Sequence, residues 1–285
     1  MKSIQFLDMY KHETEEIIAN AFPGDPKTHM FNPSFFLSDQ CAAFSVRIRT
    51  VTKENRVKHC VSINGELFEA EEKWDVPRAY DIKFFMMEEE LWVTFNTARH
   101  ANNSIYVAKV YPEIGPAIEV KYDERKEIEK NWAFFMKDEK IYCLYSLDPY
   151  TILVNKGNWE FEKVIEKENF CGLTIGTQIN DGYFVAHEKT NTIKGQLYTG
   201  VLCKFDKNNF NISISEDNYC HNAMVVAGRK ASVRMDWGCY FSGLQKTKDG
   251  IIVGYGITDN NTTGQGNFGV VLISEDMFGG KILCP

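Results

Sequence analysis

The sequence predicts an all-β fold: a five-bladed β-propeller with a short N-terminal helix. Three observations carry this. First, one pattern is written three times: an aromatic run, a charged turn, a second apolar run. The copies are Asn32-Pro33-Ser34-Phe35-Phe36 with Ala42 to Arg47, Asp81-Ile82-Lys83-Phe84-Phe85 with Leu91 to Asn96, and Asn131-Trp132-Ala133-Phe134-Phe135 with Ile141 to Ser146. Second, the copies are in phase. From the second Phe to the closing polar residue, 47−36, 96−85 and 146−135 each give 11, and Asn32, Asp81 and Asn131 each stand four residues before that Phe. Third, polar turns fall near residues 39, 89, 138, 181 and 249, a period of roughly 40–70 residues that suits a four-stranded blade.

Each copy reads as a β-hairpin. Both runs are nearly continuous in apolar character, so both strands are expected to be buried on two faces. In a hairpin, the start of the first strand lies beside the end of the second. Asn32 is therefore expected near Arg47, Asp81 near Asn96 and Asn131 near Ser146, all at the end away from the turn. Polar groups at that end converge if the hairpins ring an axis.

The whole chain, 1–285, reads as one domain, with 1–28 as an N-terminal extension. Residues 8–22 have an amphipathic helical pattern that Pro23-Gly24-Asp25-Pro26 stops. From His29 onward strand follows strand, and the charged segment from Asp123 to Glu129 is a solvated loop. Weaker copies complete the set. Asn180-Asp181-Gly182 precedes a run closing on His187-Glu188, and Lys248-Asp249-Gly250 precedes Ile251 to Gly256, then Asp259. Gly264 to Gly269 spells Gly-x-Gly-x-x-Gly, but it precedes another strand-like run and opens no helix, so it is no dinucleotide site. The segment from Gly269 to Leu283 is expected to close the ring.

Hydrophobic content of 44% with 13% aromatic is enough for a packed core, and a net charge of −7 argues against a nucleic-acid partner. No stretch approaches the ~20 apolar residues of a membrane span, and the first residues lack the apolar core of a signal peptide. The eight cysteines are scattered with no Cys-x-x-Cys pair. Reduced, buried thiols in a cytoplasmic protein are the expectation.

The candidate axial set is Asn32, Arg47, Asp81, Asn96, Glu129, Lys130, Asn131, Ser146, His187, Glu188 and the turn from Gly256 to Asp259. Amides, carboxylates, a guanidinium and an imidazole around one pit suit a hydroxyl-rich ligand, chiefly a sugar; the same residues could instead satisfy strand ends around a water-filled channel. Trp74, Trp132, Tyr145 and Tyr255 are close enough in sequence to offer ring faces. Asp81 is the sharpest candidate, because it fills the slot of Asn32 and Asn131 and is ionisable, so it can serve as general acid or base. Otherwise it caps a strand start. His187-Glu188 follows as a second acid/base candidate, with a structural histidine bonded to a neighbouring blade as the alternative. No Asp-x-Asp or zinc spacing occurs, so no metal is expected.

These residues resemble the blade motifs of five-bladed sugar-processing propellers. Asp81-Ile82-Lys83-Phe84-Phe85 resembles the Glu-Asp-Pro-Arg blade, and Glu129-Lys130-Asn131-Trp132 the Glu-Lys-Asn-Trp motif, of the β-mannoside phosphorylase branch and its glycosyltransferase-like relatives. Asn32-Pro33-Ser34, Gly172 to Thr177 with His187-Glu188, and Ser242-Gly243-Leu244 with Tyr255-Gly256 and Asp259 are similar to its other blades. The resemblance implies a carbohydrate-active enzyme whose site lies on the axis, with the proton-donor role falling on Asp81. Tyr80, Ile82 and Lys83 depart from the motif.

Hydrolysis commonly needs two or three carboxylates around the bond, whereas the slots at Asn32 and Asn131 hold amides. The reading preferred from sequence is therefore a metal-independent glycosyltransferase with no cofactor. Asp81 would deprotonate the hydroxyl of a saccharide or glycan acceptor, and a nucleotide sugar would be the donor. Arg47, Arg99, Lys130 or His187 would neutralise the departing phosphate, and Trp132, Ser146, Tyr255 and Asp259 would line the site. The alternatives are a glycoside phosphorylase or hydrolase of the same clan, and a sugar-binding propeller without catalysis.

Overall fold

The computed structural model describes residues 28–50, 57–97, 103–169, 171–192, 195–220, 224–226, 237–259 and 266–284. Five antiparallel meanders follow one another along the chain. The first is β1 (Thr28–Leu37), β2 (Ala42–Thr50), β3 (Val57–Ile63) and β4 (Glu66–Glu69). A short helix, α1 (Ala70–Trp74), leads to the second: β5 (Tyr80–Met87), β6 (Glu90–Asn96), β7 (Ile105–Tyr111) and β8 (Ile118–Tyr122). The third is β9 (Ala133–Lys137), β10 (Lys140–Leu147), β11 (Tyr150–Gly157) and β12 (Glu160–Lys167). The fourth is β13 (Leu173–Ile175), β14 (Tyr183–Thr192), β15 (Gly195–Asp206) and β16 (Asn211–Cys220), edged by β17 (Met224–Val226). The fifth is β18 (Trp237–Thr247), β19 (Gly250–Asp259) and β20 (Gly266–Ile273), and β21 (Lys281–Cys284) ends the described chain. This is the all-β fold expected, and five successive meanders are consistent with five blades.

The turns fall where the sequence places them. Asp138 and Glu139 (φ 49° and 58°) and Asp181 and Gly182 (φ 49° and 80°) take left-handed backbone, the conformation whose twist matches two flanking strands. The inner hairpins are buried as expected: Ile82 to Phe85 and Val93 to Asn96 are all buried.

Aromatic side chains fill the wedges between neighbouring meanders. Phe85 stacks on Phe134 at 5.0 Å between the second and third, and Phe135 meets Phe205 at 4.8 Å between the third and fourth. Between the fourth and fifth, Phe241 lies so close to Gly200 that a Cβ there would sit 2.4 Å from its ring.

Among the described residues the inner strands have no strand partner towards the axis, so their backbone groups need side chains from the next meander. Gln245 clamps Leu37, accepting its N–H at 2.7 Å and donating to its carbonyl, which ties the fifth meander to the first. Gln178 does the same across the third and fourth, accepting from Phe134 N–H at 2.9 Å and donating to the Trp132 carbonyl at 2.6 Å. Ser34 accepts from Phe84 N–H at 3.2 Å, and Ser45 donates to the Ile82 carbonyl at 3.3 Å. Each such bond is worth about 1 kcal/mol net, but leaving its partner buried and unpaired costs about 1–3 kcal/mol.

Two expectations need correction or placement. The final strand does not join the fifth meander: β21 pairs with β16 on the outer side of the fourth, and the first and fifth meanders meet through Gln245 and packing instead. The helix expected over 8–22 lies outside the described residues. The helix that is described, α1, was not anticipated; its five residues are too few for a helical period to stand out.

Candidate active site

Asn32, Asp81 and Asn131 share a backbone conformation as well as a sequence slot: all three are left-handed, with φ of 50°, 55° and 61°. In β1 and β5 the residue sits at a break in strand register, between Phe31 and Ser34 and between Tyr80 and Lys83. Left-handed backbone costs most L-residues about 1–2 kcal/mol, and Asn and Asp are the side-chain-bearing residues that adopt it routinely. The local fold thus selects these residue types, and two polar contacts link them to the second meander. Asn32 Nδ2 donates to Asp81 Oδ1 at 2.9 Å, and Lys83 Nζ donates to Asn131 Oδ1 at 2.8 Å. The fifth meander closes on the same spot, since a Cβ on Gly256 would lie 2.9 Å from the Asn32 backbone nitrogen.

Lys83 is 3% exposed. Burial lowers its ammonium to about 8; the Asp81 charge opposes that shift and the Lys130 charge adds to it. A cavity of about 10 Å³ adjoins these groups, lined by Asp81, Lys83, Thr94, Asn96 and Asn131 on its polar side. Phe95, Ile105 and Trp132 make up the rest of its wall, which is mainly apolar, and its size is about that of a single water molecule.

The segment carrying Asp81 is anchored from behind. Glu71 Oε1, on α1, accepts the Ala79 N–H at 3.2 Å and pairs with His59 Nδ1, while the His59 ring meets Tyr80 edge-on at 4.8 Å. Burial alone would raise the Glu71 carboxyl; the His59 hydrogen bond and charge, with backbone donors including Ala79, outweigh it and hold the carboxyl below its ordinary value.

The other expected site residues divide. Asn96 lies opposite Tyr80 and lines the small cavity, as the hairpin geometry requires. Arg47 is half-buried and registers with Phe31 and His59. Lys130 is exposed beside Asn131. His187 is a correction: its Nε2 accepts the Phe241 N–H at 2.8 Å, joining the fourth meander to the fifth. Burial, then the Lys83 charge, push its imidazole down to about 3, against the pull of Asp81. A ring that is neutral at physiological pH, with Nε2 engaged by a peptide, is a structural link rather than a proton donor. Glu188 points to the opposite face of the same strand, where it accepts from Asn218 Nδ2, so the two do not form a pair.

Glu129 is also committed elsewhere. Its buried carboxylate accepts from Trp132 Nε1 and the Tyr145 hydroxyl, each at 2.7 Å, and from Lys126 N–H. Trp132, Tyr145, Tyr255 and Trp74 are all buried, so none presents the expected open ring face. Ser146 is buried too, donating to the Asp148 carbonyl at 3.1 Å. Asp259 continues β19 opposite Trp237; its side chain and all of Arg99 lie outside the described residues. Among the described residues, no group of three or more His, Cys, Asp or Glu side chains is placed to hold a metal ion.

Sequence reasoning passed over Lys83 as a site residue. Its signal was present: a lone lysine inside Asp81-Ile82-Lys83-Phe84-Phe85, two residues from Asp81 in an otherwise apolar strand, is a charge that needs a buried partner. Thr94 and Glu71 carried no such signal.

No protein-family model matches this sequence, and no curated protein matches it. Solved structures do match the fold. A glycosyl hydrolase from Bacteroides ovatus aligns with a TM-score of 0.53 at 11% identity, covering 90% of this chain and 87% of that one. The β-xylosidase RS223 aligns at 0.55 and 11%, covering 91% and 96%, and an α-L-arabinofuranosidase from Lactobacillus brevis at 0.53 and 7%, covering 92% and 96%. The expected glycosyltransferase is overturned by this result: these three structures are glycoside hydrolases, which corresponds to the alternative the sequence left open. A nucleotide-sugar donor has no support either. At such low identity the likeness establishes the fold alone.

Proposed function

We propose that this protein cleaves glycosidic bonds by hydrolysis at the axial site, with Asp81 as the base that takes a proton from an attacking water. The observation that carries this is the placement of Asp81. It is the carboxylate among the three matched left-handed positions, held by Asn32, and it borders a cavity of about 10 Å³, the size of one water. The water oxygen bonds the anomeric carbon, its proton passes to Asp81, and the glycosidic C–O bond breaks with its electron pair on the departing oxygen, which takes a proton from solvent. Likeness of fold to glycoside hydrolases supports the same reading. The amides Asn32 and Asn131 stand where a second carboxylate would flank the bond, so glycosides with acidic leaving groups are cleaved most readily.

A second reading, phosphorolysis, has one observation in its favour. Lys83 and Lys130 both bear on the site electrostatically, and inorganic phosphate as nucleophile needs a single carboxyl partner.

The test is a panel of 4-nitrophenyl glycosides with the matching unlabelled trisaccharides, beginning with xylosides and arabinofuranosides, with and without phosphate. Free sugar released irrespective of phosphate supports hydrolysis. Sugar 1-phosphate formed only with phosphate moves the assignment to phosphorolysis. Sugar binding without cleavage of any glycoside would make the propeller a non-catalytic sugar binder.

A further inference from the structure

Beside the axis, between the third and fourth meanders, lies a second cavity of about 310 Å³, the lower end of the range of small-ligand sites. It adjoins the Asp81 site: Asn131, which accepts from Lys83, lines both this cavity and the water-sized one. A larger cavity of about 680 Å³ opens at the turn end, beside Asp181 and Gly182, away from Asp81.

We infer that the cavity between the third and fourth meanders is a second saccharide subsite, taking a neutral sugar unit next to the bond that is cut. This rests on the hydrolytic reading above. Its walls divide into a fixed part and an available part. Glu129 is fixed by Trp132 and Tyr145, and Lys126 Nζ donates to Ser146 Oγ at 3.1 Å. Asp148 is half-used: its Oδ2 accepts the Gly172 N–H at 3.1 Å, which leaves its other oxygen for a hydroxyl. Thr174 and Lys130 are exposed and offer a hydroxyl and an ammonium.

Ile128 is 42% exposed at the rim, one of few large apolar side chains so placed among the described residues. Convergent hydroxyl partners around an exposed aliphatic group match a sugar ring, which has polar edges and C–H faces. The formal charges of Lys126 and Lys130 are offset by Glu129 and Asp148, so the cavity favours a neutral ring over a uronate or a phosphorylated sugar.

The test fills the cavity. Thr174 is exposed on a strand, where tyrosine is well tolerated, so Thr174→Tyr blocks the space with little demand on folding. The readout is kcat/KM for the cleaved trisaccharide divided by kcat/KM for the matching 4-nitrophenyl glycoside, which lacks the extra sugar. The ratio is expected to fall at least tenfold in Thr174→Tyr, carried by KM, and to fall also in Asp148→Asn. An unchanged ratio overturns the subsite and leaves hydrolysis standing. If the wild type cleaves neither substrate, the hydrolytic reading fails, and calorimetric titration with the trisaccharides still decides the subsite. Binding lost in Thr174→Tyr supports it, and binding equal to wild type overturns it.

Discussion

Asn32 in the first meander donates its amide to the Asp81 carboxylate in the second at 2.9 Å, and both residues hold left-handed backbone. A strained backbone position and a polar contact across two meanders thus meet in one carboxylate. Its geometry is set by the strand break as much as by its partner, and this gives the substitutions at Asp81 unequal consequences.

Asp81→Asn keeps a residue type suited to left-handed backbone, whereas Asp81→Ala does not. The alanine variant is expected to lose about 1–2 kcal/mol more stability than the asparagine variant. Urea unfolding of the two side by side checks this, and equal midpoints would show that the backbone is not the constraint.

Lys83 gives the site an alkaline limit. Its ammonium, lowered to about 8 by burial, is present below that pH and lost above it, so turnover is expected to fall as pH rises through about 8. Arginine stays protonated, and Lys83→Arg is expected to remove that limb of the kcat/KM profile even where absolute turnover drops. Stability runs the other way. A lysine whose folded value lies below its ordinary 10.5 favours the unfolded chain while charged, so its contribution to stability rises between about pH 8 and 10.5. A profile flat through pH 9 in the wild type would show that turnover does not depend on the Lys83 ammonium that holds Asn131.

Glu71 anchors the peptide that precedes Asp81. Glu71→Gln is expected to cost about 1–3 kcal/mol, since it weakens the pairing with His59 and leaves buried donors poorly met. The carboxyl is held below its ordinary 4.5, so its contribution is complete above that pH and is lost as pH falls through the folded value. Chemical denaturation from pH 7 to 3 should show the wild type losing its advantage over Glu71→Gln at the acid end.

Gly200 is a packing position. A methyl there would meet the Phe241 ring at 2.4 Å, and Gly200→Ala is expected to destabilise by about 1–3 kcal/mol, as overpacked cores do. Pairing it with Phe241→Leu should recover part of the loss, and no recovery would locate the strain elsewhere.

Much of the fold was legible because the pattern repeats. Alternation of runs and turns fixes hairpins, and the common spacing from Phe36, Phe85 and Phe135 places Asn32, Asp81 and Asn131 at one end of each. What was not legible depends on contacts between meanders. Glu129 and Trp132 stand within two residues of Asn131 in sequence, yet they bond to each other at 2.7 Å in the interior. His187 sits at the right end of its hairpin, yet a peptide of the fifth meander claims its nitrogen. Glu71 lies ten residues before Asp81 with no periodic mark, and only the path of α1 brings it behind the site. The choice of a transferase rested on counting carboxylates in matched slots, and that count says nothing of a water-sized cavity beside the one carboxylate that remains.

The most direct measurement is turnover of the best 4-nitrophenyl glycoside by Asp81→Asn, with binding of the matching sugar titrated on the same samples. The account predicts a loss of about 10²–10⁴-fold in kcat, as for removal of a general base, with the dissociation constant little changed. Turnover within a few-fold of wild type would contradict it and remove Asp81 from the chemistry.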